Sequence, residues 1–430
     1  MNPVGHVKSL RISGVAAAEP DFEELRRREF ARLDANGVTY LDYTGAALYP
    51  ASLVSADASR LMVSVFGNPH SESAASLASS CAIDTARRLT LQFFNADPDD
   101  YDVVFTHNAT GAIRILAEAF PFRTGSRFVL TADNHNSVNG VRLSAERAGA
   151  EVEYVPLDFE LRAHNPEPSL PRTSSPSLFA YPALSNFSGV LHTLDWVDQA
   201  QRLGYHVLLD AAALAPTSPL SLSKVHPDFV AISFYKMFGY PTGVGALIVR
   251  LDALAKLRRT YFGGGTVEFV SVRDRVSRIK EGVEGFEDGT TNFLAMTAVA
   301  DGLRWLSGLG IERVKQRVTE LTAELLNRLI NLENHVDIYG PRNMTDRGGV
   351  IAFNVRRNGR ILDYPDVLTF ARNRGVAVRG GCFCNPGAAE RCLPDGAVGA
   401  VRASVGIPTT TADLDRLVEV ILDLTKKMGS

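Results

Sequence analysis

The chain has 430 residues, of which 45% are hydrophobic and 22% charged, and its formal net charge is −3. This balance is ordinary for a globular protein and argues against a general nucleic-acid binder, which would carry a basic excess. No apolar run reaches the roughly 18 residues that a membrane span needs, and the N-terminus has no signal-peptide pattern. The sequence therefore predicts a soluble, cytoplasmic protein that is long enough for two domains.

Short apolar segments of strand character alternate with helix-like segments through the first two thirds of the chain. This alternation is typical of a mainly parallel sheet that is covered by helices on both faces. Predicted helices lie between the strands at 111–119, 137–148 and 196–203. The seven predicted strands are 102–106, 127–131, 152–156, 177–181, 206–210, 229–234 and 244–249.

After residue 291 the pattern changes to long helices and a few short strands, which predicts a smaller α+β unit. A charged helix at 21–33 is expected to pack with it. We expect a large domain at 40–292 and a small domain made of 1–39 and 293–430. The elements predicted in its C-terminal part are helices at 293–306, 312–332, 363–374 and from 412, and strands at 349–355 and 376–379.

Three polar segments follow predicted strands, whose carboxyl ends meet at one edge of a parallel sheet. Asp210 closes the strand HVLLD, Lys236 follows FVAISF, and Asn108-Ala109-Thr110-Gly111 opens a helix after DVVFT. A helix N-terminus binds phosphate, and a buried lysine with a lowered pKa becomes nucleophilic. An acid is also needed to keep a pyridine nitrogen protonated. The set predicts a site for pyridoxal phosphate (PLP).

Each of these features has an ordinary explanation when it is taken alone. A strand-ending acid such as Asp210 is often a helix cap, Lys236 is of a type common on surfaces, and the 108–111 segment resembles a simple N-cap. Their order and spacing favour the cofactor site. The four cysteines are too few for a disulfide framework, and no C-x-x-C pair or nearby histidine completes a zinc site, so we expect no metal.

At these segments the sequence resembles the fold-type I, class V PLP enzymes, in particular the cysteine desulfurases. Within that group it is most similar to the desulfurase domain of the molybdenum cofactor sulfurases. The resemblance implies an α/β fold with a mainly parallel seven-stranded sheet and a smaller α+β domain. It rests on YLDYTGAALYP (40–50), GNPHSESAAS (67–76), FTHNATGAIRILAEAFP (105–121), TADNHNSV (131–138), YPALSNFSG (181–189), LLDAA (208–212), ISFYKMFGYPTGVGAL (232–247), YFGGGT (261–266), FEDGTTNFL (286–294) and RGGCFCNPGA (379–388).

The resemblance implies roles for five residues around the cofactor ring and the substrate. Lys236 matches the lysine that bonds to the cofactor and later moves protons. Asp210 matches the acid at the pyridine nitrogen, and His135 matches the histidine that stacks on the ring. Asn186 matches the asparagine near the ring hydroxyl and the substrate, and Arg402 matches the arginine that pairs with the substrate carboxylate.

The resemblance also implies a phosphate site that two subunits share. Ala109, Thr110 and Ser233 match contacts to the phosphate of the same chain. Thr266 and Thr290 lie in segments that, in the family, reach the phosphate of the partner subunit. We therefore expect a homodimer.

Cys384 matches the cysteine that accepts sulfur, and Cys382 is the rival nucleophile. We expect both to lie on a mobile loop, because glycine permits many backbone conformations. The glycines of this segment are Gly380, Gly381 and Gly387.

Tyr235 and Ala213 replace a histidine and a glutamine of many desulfurases. The molybdenum cofactor sulfurases share both changes, so neither affects the cofactor prediction. The C-terminal domain of the eukaryotic sulfurases has no counterpart in the 430 residues, which leaves the sulfur acceptor open.

The leading hypothesis is a desulfurase that converts L-cysteine, or a related small amino acid, to alanine and an enzyme persulfide. A second is a PLP-dependent C–S or selenocysteine lyase, or another class V reaction of a biosynthetic pathway, in which Cys384 is dispensable. A third is a scaffold without activity. The joint presence of Lys236, Asp210 and Arg402 disfavours that third hypothesis.

Overall fold

The computed structural model describes residues 21–394 and 398–426. The parts of the predicted small domain at 1–20, 395–397 and 427–430 lie outside these described residues. No helix of the described ranges is both long and apolar enough to cross a membrane. The helices are Phe22–Glu29, Arg32–Ala35, Ala51–Val63, Ala74–Phe93, Ala109–Ala119, Asn136–Asn139, Val141–Arg147, Asp195–Arg202, Phe234–Phe238, Leu251–Leu254, Phe293–Leu309, Ile311–Ile330, Tyr364–Arg372, Pro386–Cys392 and Thr411–Lys426.

Within the described residues, a seven-stranded sheet forms the centre of the molecule. Neighbouring strands are parallel except around Gly245–Arg250, which is antiparallel to the strand on each side. The prediction of a mainly parallel sheet is confirmed, and each strand lies within one residue of its predicted bounds. From one edge to the other, the strands are Tyr101–Thr106, Gly245–Arg250, Phe229–Ser233, Tyr205–Asp210, Ser177–Pro182, Arg127–Thr131 and Glu151–Val155.

Both faces of this large sheet are covered, as the continuous apolar strands predict. Successive residues of a strand point to opposite faces, so Val103 belongs to one buried cluster and Val104 to another. Ala109–Ala119 packs on the Val104 side, and Ala74–Phe93 packs on the Val103 side. Every residue of Ser177–Pro182 is buried. The polar groups that end these strands are therefore held by a rigid frame.

A second, antiparallel sheet forms the predicted smaller α+β unit. Helices Ile311–Ile330 and Thr411–Lys426 pack against it. Phe293–Leu309 contacts both Ala74–Phe93 and Ile311–Ile330 and so joins the two units, and the domain boundary at 292 stays a prediction. In order, the strands of this small sheet are Val336–Tyr339, Val350–Arg357, Ala400–Ser404 and Arg379–Gly381, with Arg360–Ile361 paired beside Val350–Arg357.

Two short strand pairs complete the described sheets. Thr39–Tyr40 pairs in parallel with Val376–Ala377, which links the first part of the chain to the C-terminal unit. Val267–Ser271 and Val276–Ile279 form an antiparallel hairpin whose side chains are largely exposed.

The predicted single helix at 21–33 is wrong, because the structure has two helices there. Asp21 caps the first helix by accepting from the backbone N–H groups of Glu23 and Glu24. The helix ends at Phe30, whose φ of −129° lies outside the helical region. The Phe30 ring is 1% exposed and packs edge-on against Trp305, at a centroid distance of 6.3 Å. Burial of this ring interrupts the helix.

Two further predicted elements are each divided in the structure. The helix predicted at 137–148 consists of Asn136–Asn139 and Val141–Arg147, which meet at Gly140. The strand predicted at 376–379 is two strands in different sheets, because only its second part pairs with Ala400–Ser404. Hydrophobic periodicity over six residues does not show where a chain stops pairing with one strand and begins to pair with another.

Candidate active site

A cavity lies at the carboxyl edge of the large sheet. This is the edge at which the sequence places the chemical groups. Polar groups at or just after the ends of five strands of the large sheet converge on it. The residues predicted from the sequence that line this cavity are Ala109, Thr110, His135, Asn186, Asp210, Ser233 and Lys236.

Lys236 lies in the short helix Phe234–Phe238, which begins where a strand of the large sheet ends. Burial lowers the pKa of its amine, and the guanidinium groups of Arg402 and Arg379 lower it further. Asp210 opposes this shift. A lysine with a lowered pKa has a larger fraction of neutral, nucleophilic amine at neutral pH.

Asp210 ends the strand next to the one that leads to Lys236. Its side chain is buried, and Oδ1 accepts a hydrogen bond from the backbone N–H of Ala212 at 3.0 Å. This bond fixes the carboxylate at the floor of the cavity. The other oxygen, Oδ2, is the one available to a group that enters from the cavity.

The anion cradle of the cavity is the N-terminus of helix Ala109–Ala119. The Asn108 side chain accepts from Gly111 N at 2.9 Å, and the Ser233 hydroxyl accepts from Ala109 N at 2.8 Å. The hydroxyl oxygens of Thr110 and Ser137 are 2.7 Å apart. Hydroxyl groups at the positive end of a helix dipole suit a phosphate.

Gly245 explains how this cradle comes so close to the strand beside it. A Cβ at this position would lie 2.4 Å from the Cα of Asn108, a distance that real Cβ atoms do not reach. Glycine is therefore required by packing at position 245, where the strand Gly245–Arg250 begins.

His135 caps the short helix Asn136–Asn139 at the wall of the cavity. Its Nδ1 accepts a hydrogen bond from Ser137 N at 3.1 Å, so this nitrogen carries a lone pair. Burial lowers the pKa of the imidazole, and the positive charges of Lys236 and Arg402 contribute. The lowered pKa therefore favours the neutral ring at neutral pH.

Arg402 lies in Ala400–Ser404, an inner strand of the small sheet, and is 2% exposed. Nη2 donates to Asp42 Oδ1 and Nη1 donates to the Asn186 carbonyl, both at 2.9 Å. Its Nε is buried and has no hydrogen-bond partner among the described residues. Since a buried guanidinium N–H is costly to leave unpaired, this atom fits a ligand that supplies an acceptor oxygen, such as a carboxylate.

Asp42 was not predicted from the sequence, although its carboxylate accepts hydrogen bonds from two arginines. It accepts from Arg402 and also from Arg379 Nε, whose distances to Oδ1 and Oδ2 are 3.0 and 2.8 Å. Arg379 and Arg402 are direct partners on adjacent strands. The Asp42 side chain raises the pKa of Arg379. Asp42 follows the short strand Thr39–Tyr40, and its position after a strand was the available signal.

The two cysteines flank Phe383 in a tight turn of residues Cys382–Asn385, named here the cysteine turn. Asn385 N donates to Cys382 O at 2.9 Å and closes the turn. Phe383 and Cys384 have φ angles of +53° and +56°, in the left-handed region that residues other than glycine rarely adopt. Both cysteines are exposed, whereas Phe383 is buried and packs against Phe187.

Two of the glycines beside the cysteine turn have a different role from the mobility that the sequence predicts. A Cβ at Gly387 would lie 2.1 Å from the carbonyl oxygen of Ala132, and a Cβ at Gly380 would lie 2.3 Å from the Tyr364 ring. These glycines permit close packing. Gly381 has a φ of +114°, which only glycine adopts readily.

Thr266 and Thr290 do not line the cavity that contains Lys236. Thr266 is buried and its hydroxyl bonds to the backbone of Gly263, whereas Thr290 is exposed beside Asn68. Both flank another cavity, of about 910 Å³. Their predicted contact with the phosphate of a partner subunit stays a prediction.

The family model described as aminotransferase class-V matches residues 39–417. The chain belongs to this family of enzymes. Molybdenum cofactor sulfurases are among its curated relatives: that of Bos taurus is 39% identical over 86% of this chain and 45% of its own length. That of Homo sapiens is 36% identical over 93% of this chain and 51% of its own length. The chain spans about half the length of these relatives.

Solved structures of similar fold include cysteine desulfurases and the cystine C–S lyase C-DES, the latter with a TM-score of 0.74 and 20% identity. The apo enzyme from Thermococcus onnurineus NA1 has a TM-score of 0.84 and 27% identity, and the match covers 94% of this chain and 98% of that one. The CsdA enzyme of Escherichia coli has a TM-score of 0.79 and 24% identity, with 94% and 99% covered. These structures confirm the fold-type I architecture. The family and the groups in the cavity together indicate pyridoxal phosphate as the cofactor.

Proposed function

We propose that the protein is a PLP-dependent cysteine desulfurase, which converts L-cysteine to L-alanine and keeps the sulfur as a persulfide on Cys384. One observation carries the proposal: a single cavity at the carboxyl edge of the large sheet combines a lysine of lowered pKa, a buried acid and a helix N-terminus. The cysteine turn adjoins it, since Cys384 O accepts from Asn136 N, next to His135, at 2.7 Å.

The residues of the cavity fit each part of the cofactor. Ala109, Thr110 and Ser233 would hold the phosphate, and Asp210 would hold a proton at the pyridine nitrogen. The His135 ring would stack on the pyridine, and Lys236 would bond to the aldehyde carbon. When bound, the cofactor supplies an electron sink for bond cleavage at the substrate.

Arg402 and Asn186 would bind the carboxylate of the substrate. The unpaired Arg402 Nε and a second proton on Asn186 Nδ2 are the donors that remain for it. The free Lys236 amine would take the proton from the substrate's α-carbon, because its lowered pKa increases the neutral fraction that can act as a base.

Cys384 would then accept the sulfur. Its thiolate forms a bond to the substrate sulfur while the carbon–sulfur bond breaks, and the electron pair of that bond stays with the carbon skeleton. A proton delivered to this carbon gives the methyl group of alanine, and the substrate sulfur remains on Cys384 as a persulfide. No external oxidant or reductant is needed. The exposure of Cys384 lets an acceptor reach the sulfur.

The sulfur acceptor is proposed from the relatives. Molybdenum cofactor sulfurases at 36–39% identity support delivery toward the molybdenum cofactor, directly or through a separate acceptor protein. A cytoplasmic location stays a prediction from the sequence.

We also propose a homodimer. Exposed apolar side chains lie on two segments, one at the C-terminal end of helix Ala51–Val63 and the other around the 267–279 hairpin, and such patches mark association surfaces. Thr266 and Thr290 lie beside the second segment, so association there would bring them to a partner. The exposed side chains are Met62, Val63, Val65, Tyr261, Phe262 and Val272.

Product analysis tests the proposed reaction. The purified protein should show the visible absorbance of a lysine-bound cofactor and should form alanine from L-cysteine. Cys384→Ser should keep the absorbance and lose alanine formation, whereas Cys382→Ser, the matched control in the same turn, should keep both. Pyruvate in place of alanine, or full activity of Cys384→Ser, would show a lyase reaction instead.

A further inference from the structure

Asn385 is a buried residue that no step of the proposed reaction uses. It is 0% exposed, and its side chain makes three hydrogen bonds. Nδ2 donates to the backbone carbonyl of Asp133 at 2.6 Å and to Asn186 Oδ1 at 3.0 Å. Oδ1 accepts from Ala388 N at 3.3 Å and caps the helix Pro386–Cys392. Both protons of the amide are therefore occupied.

These bonds connect the cysteine turn to the segments that line the cavity. Asn186, which accepts from Asn385, donates in return from Nδ2 to the Phe383 carbonyl at 2.7 Å. The Cys384 carbonyl accepts from Asn136 N at 2.7 Å. Three successive residues of the turn are thus each hydrogen-bonded to a segment that contributes residues to the cavity wall.

The backbone of the turn needs such support. Phe383 and Cys384 both lie at positive φ, and residues other than glycine keep this conformation only where their surroundings enforce it. Asn385 follows them directly and is the most deeply buried of the four turn residues, whereas Cys382 and Cys384 are exposed. The turn is held at its buried end.

We infer that Asn385 is a positioning residue for sulfur transfer, which holds the cysteine turn and the substrate-binding amide of Asn186 in one hydrogen-bonded unit. Cys384 and the bound substrate carboxylate then keep a fixed distance from each other. This holds although Asn186 follows a strand of the large sheet and Cys384 follows a strand of the small sheet. This inference rests on the proposed desulfurase function. It assigns Asn385 no contact with the substrate, and its effect is exerted through Asn186 and the turn.

Asn385→Asp is the variant that isolates this role. Aspartate has the same size and caps a helix equally well, so Pro386–Cys392 keeps its N-cap. The change removes both donors and places a carboxylate against two acceptor oxygens. Asn354→Asp is the matched control: Asn354 is also buried, and its Nδ2 also donates twice, to Tyr339 Oη at 3.0 Å and to Gly399 O at 3.2 Å.

Three readouts separate positioning from general damage. In Asn385→Asp we expect cofactor absorbance to be retained. The affinity for L-alanine, which has no sulfur to transfer, should fall much less than the rate of sulfur transfer, because Arg402 still binds its carboxylate. Single-turnover sulfur transfer to Cys384 should slow by about 100-fold, as expected for a reacting group displaced by about 1 Å. Asn354→Asp should transfer sulfur at the wild-type rate. Equal slowing of the two variants, or a wild-type rate in Asn385→Asp, would overturn the inference.

A fourth readout does not depend on the proposed reaction. Alkylation by iodoacetamide, mapped by peptide mass spectrometry, reports Cys382 and Cys384 separately. Release of the turn in Asn385→Asp should change the ratio of their rates, and an unchanged ratio would contradict a positioning role. If the wild-type protein forms no persulfide at all, the proposed function fails while this ratio still tests the positioning. Should the buried carboxylate prevent folding, Asn385→Ser removes the same donors without a charge and still caps the helix.

Discussion

On the large-sheet side of the cavity, Asp210 and Ser233 end strands and Lys236 follows within one turn of helix. On the small-sheet side, Arg402 lies within a strand and Cys384 lies in a turn after another strand. The first set is placed by the frame of a buried parallel sheet. The second set is placed by side-chain hydrogen bonds to distant segments of the chain, from Arg402 to Asp42 and from Asn385 to Asp133.

This difference predicts that substitutions on the two sides of the cavity impair different functions. Changes on the large-sheet side remove groups that bind the cofactor, so cofactor absorbance and activity should be lost together. Changes on the small-sheet side should leave the cofactor bound and reduce substrate affinity or sulfur transfer. Each of the following substitutions tests whether the two sides are separable in this way.

The largest effect is expected for Lys236→Ala. Loss of the amine removes both the bond to the cofactor and the base, so absorbance of the lysine-bound cofactor should disappear and turnover should fall by about a thousandfold or more. Lys224→Ala, at an exposed lysine, is the control and should retain both. Turnover in Lys236→Ala near the wild-type level would disprove the role of this lysine.

A smaller effect is expected for Arg402→Lys on the opposite side. Lysine keeps the charge but lacks the planar fork, so at least one charge-assisted hydrogen bond to the substrate carboxylate is lost. Such a bond is worth about 1.5–3 kcal/mol, which corresponds to a fall in kcat/KM of roughly 10- to 100-fold. The spectrum of the bound cofactor should be unchanged. Loss of this cofactor spectrum in Arg402→Lys would show that the two sides of the cavity do not act independently.

Gly387→Ala tests the packing that holds the cysteine turn. The added Cβ would lie 2.1 Å from Ala132 O, so we expect a loss of about 1–3 kcal/mol in the free energy of unfolding, measured with urea. Gly308→Ala, where an added Cβ has open space, is the control and should be neutral or stabilising. If the glycine serves only mobility, Gly387→Ala should instead be as stable as the control.

The smallest effect concerns pH and His135. Burial lowers the pKa of His135 in the folded protein below its ordinary value of 6.5, so the folded state binds this proton less readily than the unfolded state. The contribution of His135 to stability is fully present above pH 6.5 and falls as the pH drops through the folded pKa. Urea unfolding of His135→Asn should therefore depend less on pH below 6.5 than that of the wild-type protein. An identical pH dependence would contradict this.

The sequence was sufficient for the large-sheet side, because Asp210 and Lys236 stand beside apolar strands whose ends meet at one edge. Resemblance to a family was needed for Arg402 and Cys384, since no local pattern distinguishes them. Asp42 and Asn385 were missed for a physical reason: their key contacts join residues 360 and 252 positions apart. The role of Gly387 likewise depends on Ala132, a distant loop residue that approaches it only in the fold.

Locating the transferred sulfur tests the central claim most directly. The protein is mixed with one equivalent of L-cysteine, trapped with an alkylating reagent and digested, and the peptide that contains the cysteine turn is sequenced by mass spectrometry. We expect one added sulfur atom on Cys384 and an equal amount of alanine. Added sulfur on Cys382, or pyruvate with unmodified cysteines, would contradict it.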